Sequence, residues 1–227
     1  MKNNNNNGRG IFYGVIAVAT LIVAIIGATF AYFTATANNV GTVQGEAAVA
    51  GLELSVELMS TEAVGPMVPQ GETGLQSAVV GIDKTPDDGQ NNPVACVDAN
   101  NNTVCKVYKI TVTNTGSSAT VLTGTLNITA VEGDTNVFTN LKWAELTGSE
   151  TGTVGTTHST SDTTLASSLT LQASDGEASD NDVATYYVVV YINEIGSSQN
   201  DEDKGQFTGT VEFSSAAGTG VTSTFTS

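Results

Sequence analysis

The sequence is poor in the side chains on which most enzymes and nucleic-acid-binding proteins depend. Its 227 residues include one histidine, one tryptophan, two cysteines and four prolines. Because no His-Glu-x-x-His motif is present, a zincin-type metal centre cannot be built. Lys and Arg total seven against 23 Asp and Glu, which argues against nucleic acid because phosphate binding needs clustered cations. We therefore expect a protein that is not an enzyme and does not bind nucleic acid.

The single histidine, His158, lies in the polar stretch TGSETGTVGTTHSTSD, which its composition predicts to be a mobile loop. A Ser-His-Asp triad would need His158 between a serine and an aspartate, and Ser159, Ser161 and Asp162 are only its sequence neighbours. A solvated histidine is the interpretation that the loop composition favours. Paired glycosidase carboxylates could lie anywhere among the 23 acids, and no local pattern singles out two of them.

The chain after residue 40 lacks long helical periodicity and is rich in Thr, Val, Ser and Gly, a composition typical of strands joined by turns. The segment GLELSVELM alternates apolar and polar residues, as a half-buried strand does. We also predict strands at LQSAVVGI, from Leu75, and across 183–192, where the apolar run Tyr187–Ile192 indicates a central strand buried on both faces. The fold class is therefore all-β, a single antiparallel β-sandwich, and both a jelly roll and an Ig-like Greek key fit this pattern.

Two cysteines flank the segment CVDANNNTVC, which we interpret as a hairpin with Asn residues at its tip. If the domain is exported, Cys96 and Cys105 are expected to form a disulfide; a pair of buried thiols is the alternative. Asp98, Asn100 and Asn102 follow the alternating oxygen spacing of a calcium loop. The glycine and the closing glutamate of that motif are missing, so a solvated hairpin tip explains the same residues, and no cofactor other than Ca²⁺ is suggested.

An uncharged run of 23 residues extends over 11–33 and follows the basic residues Lys2 and Arg9. As a helix it would measure about 34 Å, at ~1.5 Å per residue, which is long enough to span a bilayer. Small residues at Ala35 and Ala37 instead suit cleavage by a signal peptidase. We therefore predict one N-terminal hydrophobic helix within residues 1–37, either a signal peptide or a membrane anchor. With the acidic bulk following it, the domain is expected outside the cell.

The end of this run, Gly27-Ala28-Thr29-Phe30-Ala31-Tyr32-Phe33, followed by a small polar segment and an alternating strand, resembles the start of the TasA/camelysin family. These are secreted bacterial proteins whose precursors are cut by a dedicated signal peptidase. The resemblance implies a jelly-roll subunit of fibres in the biofilm matrix or on the cell surface, with cleavage after Ala31 or Ala37. Some camelysin-like proteins are catalogued as metallopeptidases, an activity that we do not expect here without a metal-ligand set.

The resemblance also implies self-association, in which the newly exposed N-terminal segment is donated as a strand to a neighbouring subunit. The candidate is residues 38–51, before a sandwich domain at 52–227, with these contact residues: Val40, Val43, Ala47 and Val49. An ordinary linker or an intramolecular first strand is the alternative for this segment. The alternative for the whole protein is a membrane-anchored ectodomain that acts as an adhesin or ligand-binding module.

Overall fold

The computed structural model describes residues 44–49, 51–60, 67–82, 95–131, 139–174, 181–199, 202 and 206–227. These residues form ten strands and one helix, all within a compact unit over Gly41–Ser227. In chain order the elements are β1 (Gln44–Val49), β2 (Leu52–Leu58), α1 (Glu72–Gly81), β3 (Cys105–Asn114), β4 (Thr120–Ala130), β5 (Leu141–Thr147), β6 (Thr153–Ser159), β7 (Thr164–Leu171), β8 (Val183–Ile192), β9 (Phe207–Ser215) and β10 (Gly220–Thr226). The predicted signal peptide or anchor lies outside the described residues, as do Ala31, Ala37, Val40 and Val43.

The strands form two antiparallel sheets that pack together as a β-sandwich, which confirms the predicted fold class. One sheet has the order β1-β2-β3-β8-β5-β6 and the other the order β10-β9-β4-β7. Successive strands β3, β4 and β5 pair with β8, β7 and β6 respectively, and each successive pair belongs to the opposite sheet. A long hairpin rolled up in this way is the jelly-roll arrangement. The topology is therefore that of a jelly roll and not of the Ig-like Greek key, which fitted the sequence pattern equally well.

The core between the sheets follows from the alternation in the strand sequences. Leu52, Leu54, Val56 and Leu58 of β2 are buried, whereas Glu53 and Ser55 between them are exposed. The other strands add large side chains to the same cluster, including Ile110, Trp143, Val190, Phe207 and Phe213. Because burying one such side chain contributes about 1.5–3 kcal/mol, this cluster is the main source of stability.

A second hydrophobic cluster covers the outer face of the six-stranded sheet. Leu75 and Val79 of α1 and the buried disulfide pack there against Val189 and Tyr191 of β8. Since Val188 and Val190 belong to the first cluster, β8 is buried on both faces, as its apolar run predicted.

Two predictions about local structure are wrong. The segment LQSAVVGI is helical rather than extended, because Leu75, Ala78, Val79 and Ile82 follow the i, i+3, i+4, i+7 spacing that buries one side of a helix. The polar stretch that was predicted to be a mobile loop contains β6, which pairs with β5 at the edge of the six-stranded sheet. Its side chains are exposed or half-buried, so the sequence carries no alternation that would reveal a strand.

Aromatic rings lie over two glycines in the four-stranded sheet. Gly209 pairs across the strands with Phe225, and Gly124 pairs with Phe213. A Cβ added at Gly124 would lie 2.6 Å from the Phe213 ring, and one at Gly209 would collide with the end of the Phe225 ring. Glycine within a strand often marks such a close approach, and here it lets the two rings lie directly against the backbone.

Candidate functional site

The candidate site for assembly is the set of sheet edges, because edge strands offer unpaired backbone groups to another chain. The two sheets end in four edge strands: β1, β6, β7 and β10. Native proteins commonly block such edges with bulges, charges or covering segments.

The edge at β6 is capped by a glutamine from the helix. Gln76 accepts a hydrogen bond from the Val154 backbone N–H at 2.8 Å and donates one to the Gly152 carbonyl at 3.2 Å. A register shift opposite Glu145 adds a bulge, since Gly155 and the following residue face one residue of β5. Both features oppose the addition of another strand at this edge.

The edge at β7 is interrupted by two register shifts in its pairing with β4. Pairing is regular only over Leu169–Leu171, and the shifts fall on either side of Gly124. A bulged strand bends and twists away from the flat geometry that an added strand requires. This edge is therefore also blocked.

The edge at β10 lies close to the opposite sheet. Cα atoms of β10 approach those of β1 and β2 to within 8 Å, closer than the ~10 Å that normally separates packed sheets. The two sheets are thus close together along this side, where β10 lies within 8 Å of both β1 and β2.

The strand β1 is an edge strand with regular pairing, as β10 also is. It pairs with β2 through six successive residue pairs without a shift, from Gln44–Glu57 to Val49–Leu52. Ala47 and Val49, two of the predicted contact residues, pair with the buried residues Leu54 and Leu52. For residues 44–49 the structure therefore shows the intramolecular first strand that the sequence left as an alternative.

Only residues 50 and 51 connect β1 to β2, and Gly51 has a φ of +88°. A Cβ added at Gly51 would meet nothing closer than 3.7 Å, at the Gly116 Cα. Glycine is therefore required at position 51 because of the positive φ and not because a side chain would clash there.

The hairpin between Cys96 and Cys105 contains the predicted disulfide. The two cysteines are bonded, with Cα atoms 5.4 Å apart, and both are at most 1% exposed. The Val104 N–H donates to the Cys96 carbonyl at 2.9 Å, and a Val97–Thr103 bridge continues the pairing. The disulfide prediction is confirmed, and its position beneath α1 assigns it a structural role.

The predicted calcium residues form the tip of this hairpin. The Asp98 carboxylate accepts hydrogen bonds from the backbone N–H groups of Asn100 and Asn102, each at 2.8 Å, and from the Asn102 side-chain amide at 3.0 Å. These bonds, led by those from Asn102, hold the pKa of Asp98 below its usual range. Within the described ranges, no cluster of three or more His, Cys, Asp or Glu side chains could hold a metal ion. These residues do form the hairpin tip, and calcium binding there stays a prediction.

A polar groove of about 630 Å³ lies beside the strands β3, β5, β6 and β8. Its lining includes Lys109, Glu145, Thr185, Tyr187 and His158. Burial raises the pKa of Glu145, and the charge of His158 partly opposes that shift. An aromatic ring beside hydroxyl and charged groups suits a small polar ligand.

His158 belongs to β6 and is not the solvated loop residue that its sequence context predicted. Its ring stacks on buried Trp143, with centroids 4.4 Å apart, and its Nδ1 lies 2.6 Å from Asp162 Oδ2. This hydrogen bond is the main reason why the pKa of Asp162 is lowered. The hydroxyls of Ser159 and Ser161 bond to each other at 2.8 Å, and within the described residues neither hydroxyl bonds to the imidazole. The arrangement lacks the nucleophile of a triad.

Comparison with known proteins leaves the chain without an assigned relative: no family model and no curated protein matches it. Among the described residues, no helix is both long enough and apolar enough to cross a membrane. The proposals about function are therefore based on the sheet edges and on the polar groove.

Proposed function

We propose that the protein is a secreted, non-enzymatic structural subunit of extracellular surface or biofilm-matrix fibres, assembled by donation of its N-terminal strand. The observation that supports this most is the attachment of β1, an edge strand held by regular pairing to β2 and joined to the sandwich by two residues. Such a strand can separate from the domain without disturbing the nested pairs of the jelly roll. Main-chain hydrogen bonds then provide affinity and alternate side chains fix the register.

The charge of the chain is also consistent with a subunit that is exported before it assembles. Beyond residue 37 there remain five of the seven basic residues, since Lys2 and Arg9 precede it, against all 23 acids, a balance of about −18. Copies with this charge repel one another at low ionic strength. Salt or divalent cations would screen that repulsion and favour assembly.

Assembly is tested on the chain that begins at Asn38, which retains every described element and both hydrophobic clusters. The purified protein is incubated with and without Ca²⁺ and viewed by negative-stain electron microscopy, with filaments as the expected result. A matched chain that begins at Leu52 lacks β1 and should form none. Monomers alone in both samples, at all salt concentrations, would rule out the proposed function.

A second candidate function is ligand binding by a membrane-anchored ectodomain, and the groove beside Tyr187 and Lys109 is the observation that favours it. Screening against neutral and acidic oligosaccharides should then give a ligand whose binding is lost in Tyr187→Ala. Thr222→Ala, at an exposed position on β10, is the matched control. N-terminal sequencing of the native protein separates the two functions, because an anchored protein still begins near Met1.

A further inference from the structure

We infer that Asp182 is the central ligand of a calcium site that connects three chain segments at one end of the sandwich. Asp182 immediately precedes β8, and it is 4% exposed. Its Oδ1 atom is buried and has no hydrogen-bond partner. Buried carboxylates are normally paired with a cation or bound by hydrogen-bond donors. This oxygen therefore lacks the partner that its charge requires, and the site that we assign to it does not depend on assembly.

Asp182 faces the interior of the sandwich beside Asn114. The pairing of Thr113 with Val183 is continued by the Asn114 N–H, which donates to the Asp182 carbonyl at 2.8 Å. Residues directly opposite each other on paired strands point to the same face, and Asn114 follows Val112 on the buried face of β3. The carboxylate therefore lies at the end of the hydrophobic cluster between the sheets, shielded from bulk water.

The neighbouring Asn114 cannot supply the missing donor. Its side-chain amide donates to two backbone carbonyls, that of Gln172 at 2.6 Å and that of Ser118 at 2.9 Å. Its Oδ1 accepts from the Gly116 N–H at 3.0 Å. Both amide hydrogens are thus used, whereas each of the two carbonyl oxygens keeps a free lone pair. The groups that Asn114 gathers beside Asp182 are acceptors, which suits a cation and not a donor-poor carboxylate alone.

The described lysines lie too far along the sheet to neutralise Asp182. Lys109 pairs with Tyr187, and Lys106 and Lys142 pair with residues still farther along β8. The five positions from Asp182 to Tyr187 correspond to about 16 Å, at ~3.3 Å per residue. The described part of the chain therefore offers no basic side chain for this carboxylate.

Glu202 shows how the protein satisfies a buried carboxylate through hydrogen bonds alone. It is 5% exposed, and its two oxygens accept from the backbone N–H and the side-chain amide of Asn140, at 3.0 and 2.6 Å. Asp182 is buried as deeply, yet its Oδ1 has no equivalent donor. This difference between two carboxylates of the same domain indicates that Asp182 binds an ion.

The available ligands favour calcium. Ca²⁺ binds carboxylate and backbone carbonyl oxygens in flexible geometry, whereas Mg²⁺ demands a near-ideal octahedron and keeps several waters. The protein ligands would be Asp182 Oδ1 and the carbonyl oxygens of Ser118 and Gln172, with water completing the shell. This site has a single carboxylate and so differs from the clusters of three acidic, His or Cys ligands that the described residues lack. One carboxylate implies weak binding, with a Kd on the order of 10⁻⁴–10⁻³ M.

The test is thermal unfolding, followed by circular dichroism, of the chain that begins at Asn38 and retains every described element. The protein is treated with EDTA, dialysed, and heated with and without CaCl₂. At about ten times the Kd, calcium should favour the folded state about tenfold and raise the Tm by about 3–6 °C. The shift should not change with protein concentration, because the site lies within one chain. NaCl at the same ionic strength should not reproduce it, and MgCl₂ should have a smaller effect.

Asp182→Asn keeps the shape of the side chain and removes its charge. Without calcium, this variant should have a higher Tm than the unsubstituted chain, because an unpaired buried charge is removed. Calcium should then no longer raise its Tm. Asp98→Asn, at the exposed hairpin tip that the sequence suggested for calcium, is the matched control and should keep the full response.

Three outcomes would overturn the inference and leave the proposed function intact. The first is an unsubstituted chain that does not respond to calcium, which would mean that Asp182 Oδ1 is protonated or hydrated. The second is an equal response in Asp182→Asn, or a response that only Asp98→Asn removes, which would place the ion elsewhere. The third is loss of the fold in calcium-free Asp182→Asn, which would show that the carboxylate is needed without any ion.

Discussion

The imidazole of His158 lies on the indole of Trp143, with their planes 19° from parallel and their centroids 4.4 Å apart. The two residues are register partners on β5 and β6. The indole N–H also donates to the Asp162 carbonyl at 3.0 Å. Trp143 thereby contacts both β6 and the turn that follows it.

His158→Ala should lower the free energy of unfolding by about 1 kcal/mol, because stacking of this kind contributes ~0.5–1.5 kcal/mol. Urea unfolding followed by the fluorescence of Trp143 measures the change. Thr153→Ala, at an exposed position on the same strand, is the control and should change stability by less than about 0.5 kcal/mol. Equal losses in both variants would show that the stack contributes nothing beyond strand propensity.

Asp162→Asn should weaken the dependence of stability on pH in the acid range. The hydrogen bond from His158 lowers the pKa of Asp162 below its ordinary value of 3.8. A carboxyl whose pKa is lowered by folding stabilises the protein above about pH 4 and loses that contribution as pH falls through the folded pKa. Urea midpoints between pH 2 and 7 should therefore change less in the variant. In a His158→Ala background the same substitution should have a smaller effect, since the two residues act as a pair.

Replacing both Cys96 and Cys105 by alanine should lower the free energy of unfolding by about 2–3 kcal/mol. The reason is that the bond closes a loop with a sequence separation of nine, and loops of this length give values in that range. Denaturant unfolding measures the loss, and circular dichroism should still show a β-sheet spectrum. Non-reducing peptide mapping of the unsubstituted protein should find the two cysteines joined.

Gln76→Ala should both destabilise the protein and expose the β6 edge. The substitution removes the hydrogen bonds to Val154 and Gly152, which are worth about 1–2 kcal/mol together. Light scattering on heating should show earlier association than in the unsubstituted chain, because backbone groups of an edge strand become available. Ser77→Ala, on the exposed side of α1, should leave association unchanged.

Gly209→Ala should destabilise the four-stranded sheet by about 1–3 kcal/mol. This loss is expected even though alanine reduces the conformational entropy of the unfolded chain, which by itself would favour folding. A methyl group at this position would occupy the space of the Phe225 ring, so the ring must move. Thermal unfolding measures the effect. Gly81→Ala, at the end of α1 with nothing within 4 Å of an added Cβ, should be neutral or slightly stabilising.

The parts of the fold that the sequence predicted are those with a strong local pattern. Alternation identified β2, a continuous apolar run identified β8 as central, and the expected export of a domain with two cysteines indicated the disulfide. The helix α1 was mistaken for a strand because a short apolar run such as Ala78–Val80 fits both periods. The edge strand β6 was missed because nothing on it is fully buried.

The candidate site could be predicted only in part. The N-terminal segment suggested a donated strand, but which sheet edges are blocked depends on contacts between residues distant in sequence. Gln76 and Val154 are an example, since no local pattern links a helix residue to a strand edge. The stacking of His158 on Trp143 likewise follows from strand pairing and not from spacing.

The nested strand pairing of the jelly roll also limits the folding rate of the chain. Cys105 pairs with Tyr191, so pairing of β3 with β8 closes a loop that contains all the strands between them. Closing such long loops costs entropy before the contacts compensate, and domains dominated by distant pairings typically fold in milliseconds to seconds. The hairpins β1–β2 and β9–β10, by contrast, close over short connections and are available early. A chain leaving the ribosome would therefore hold β1 in a local hairpin with β2 well before the sandwich is complete.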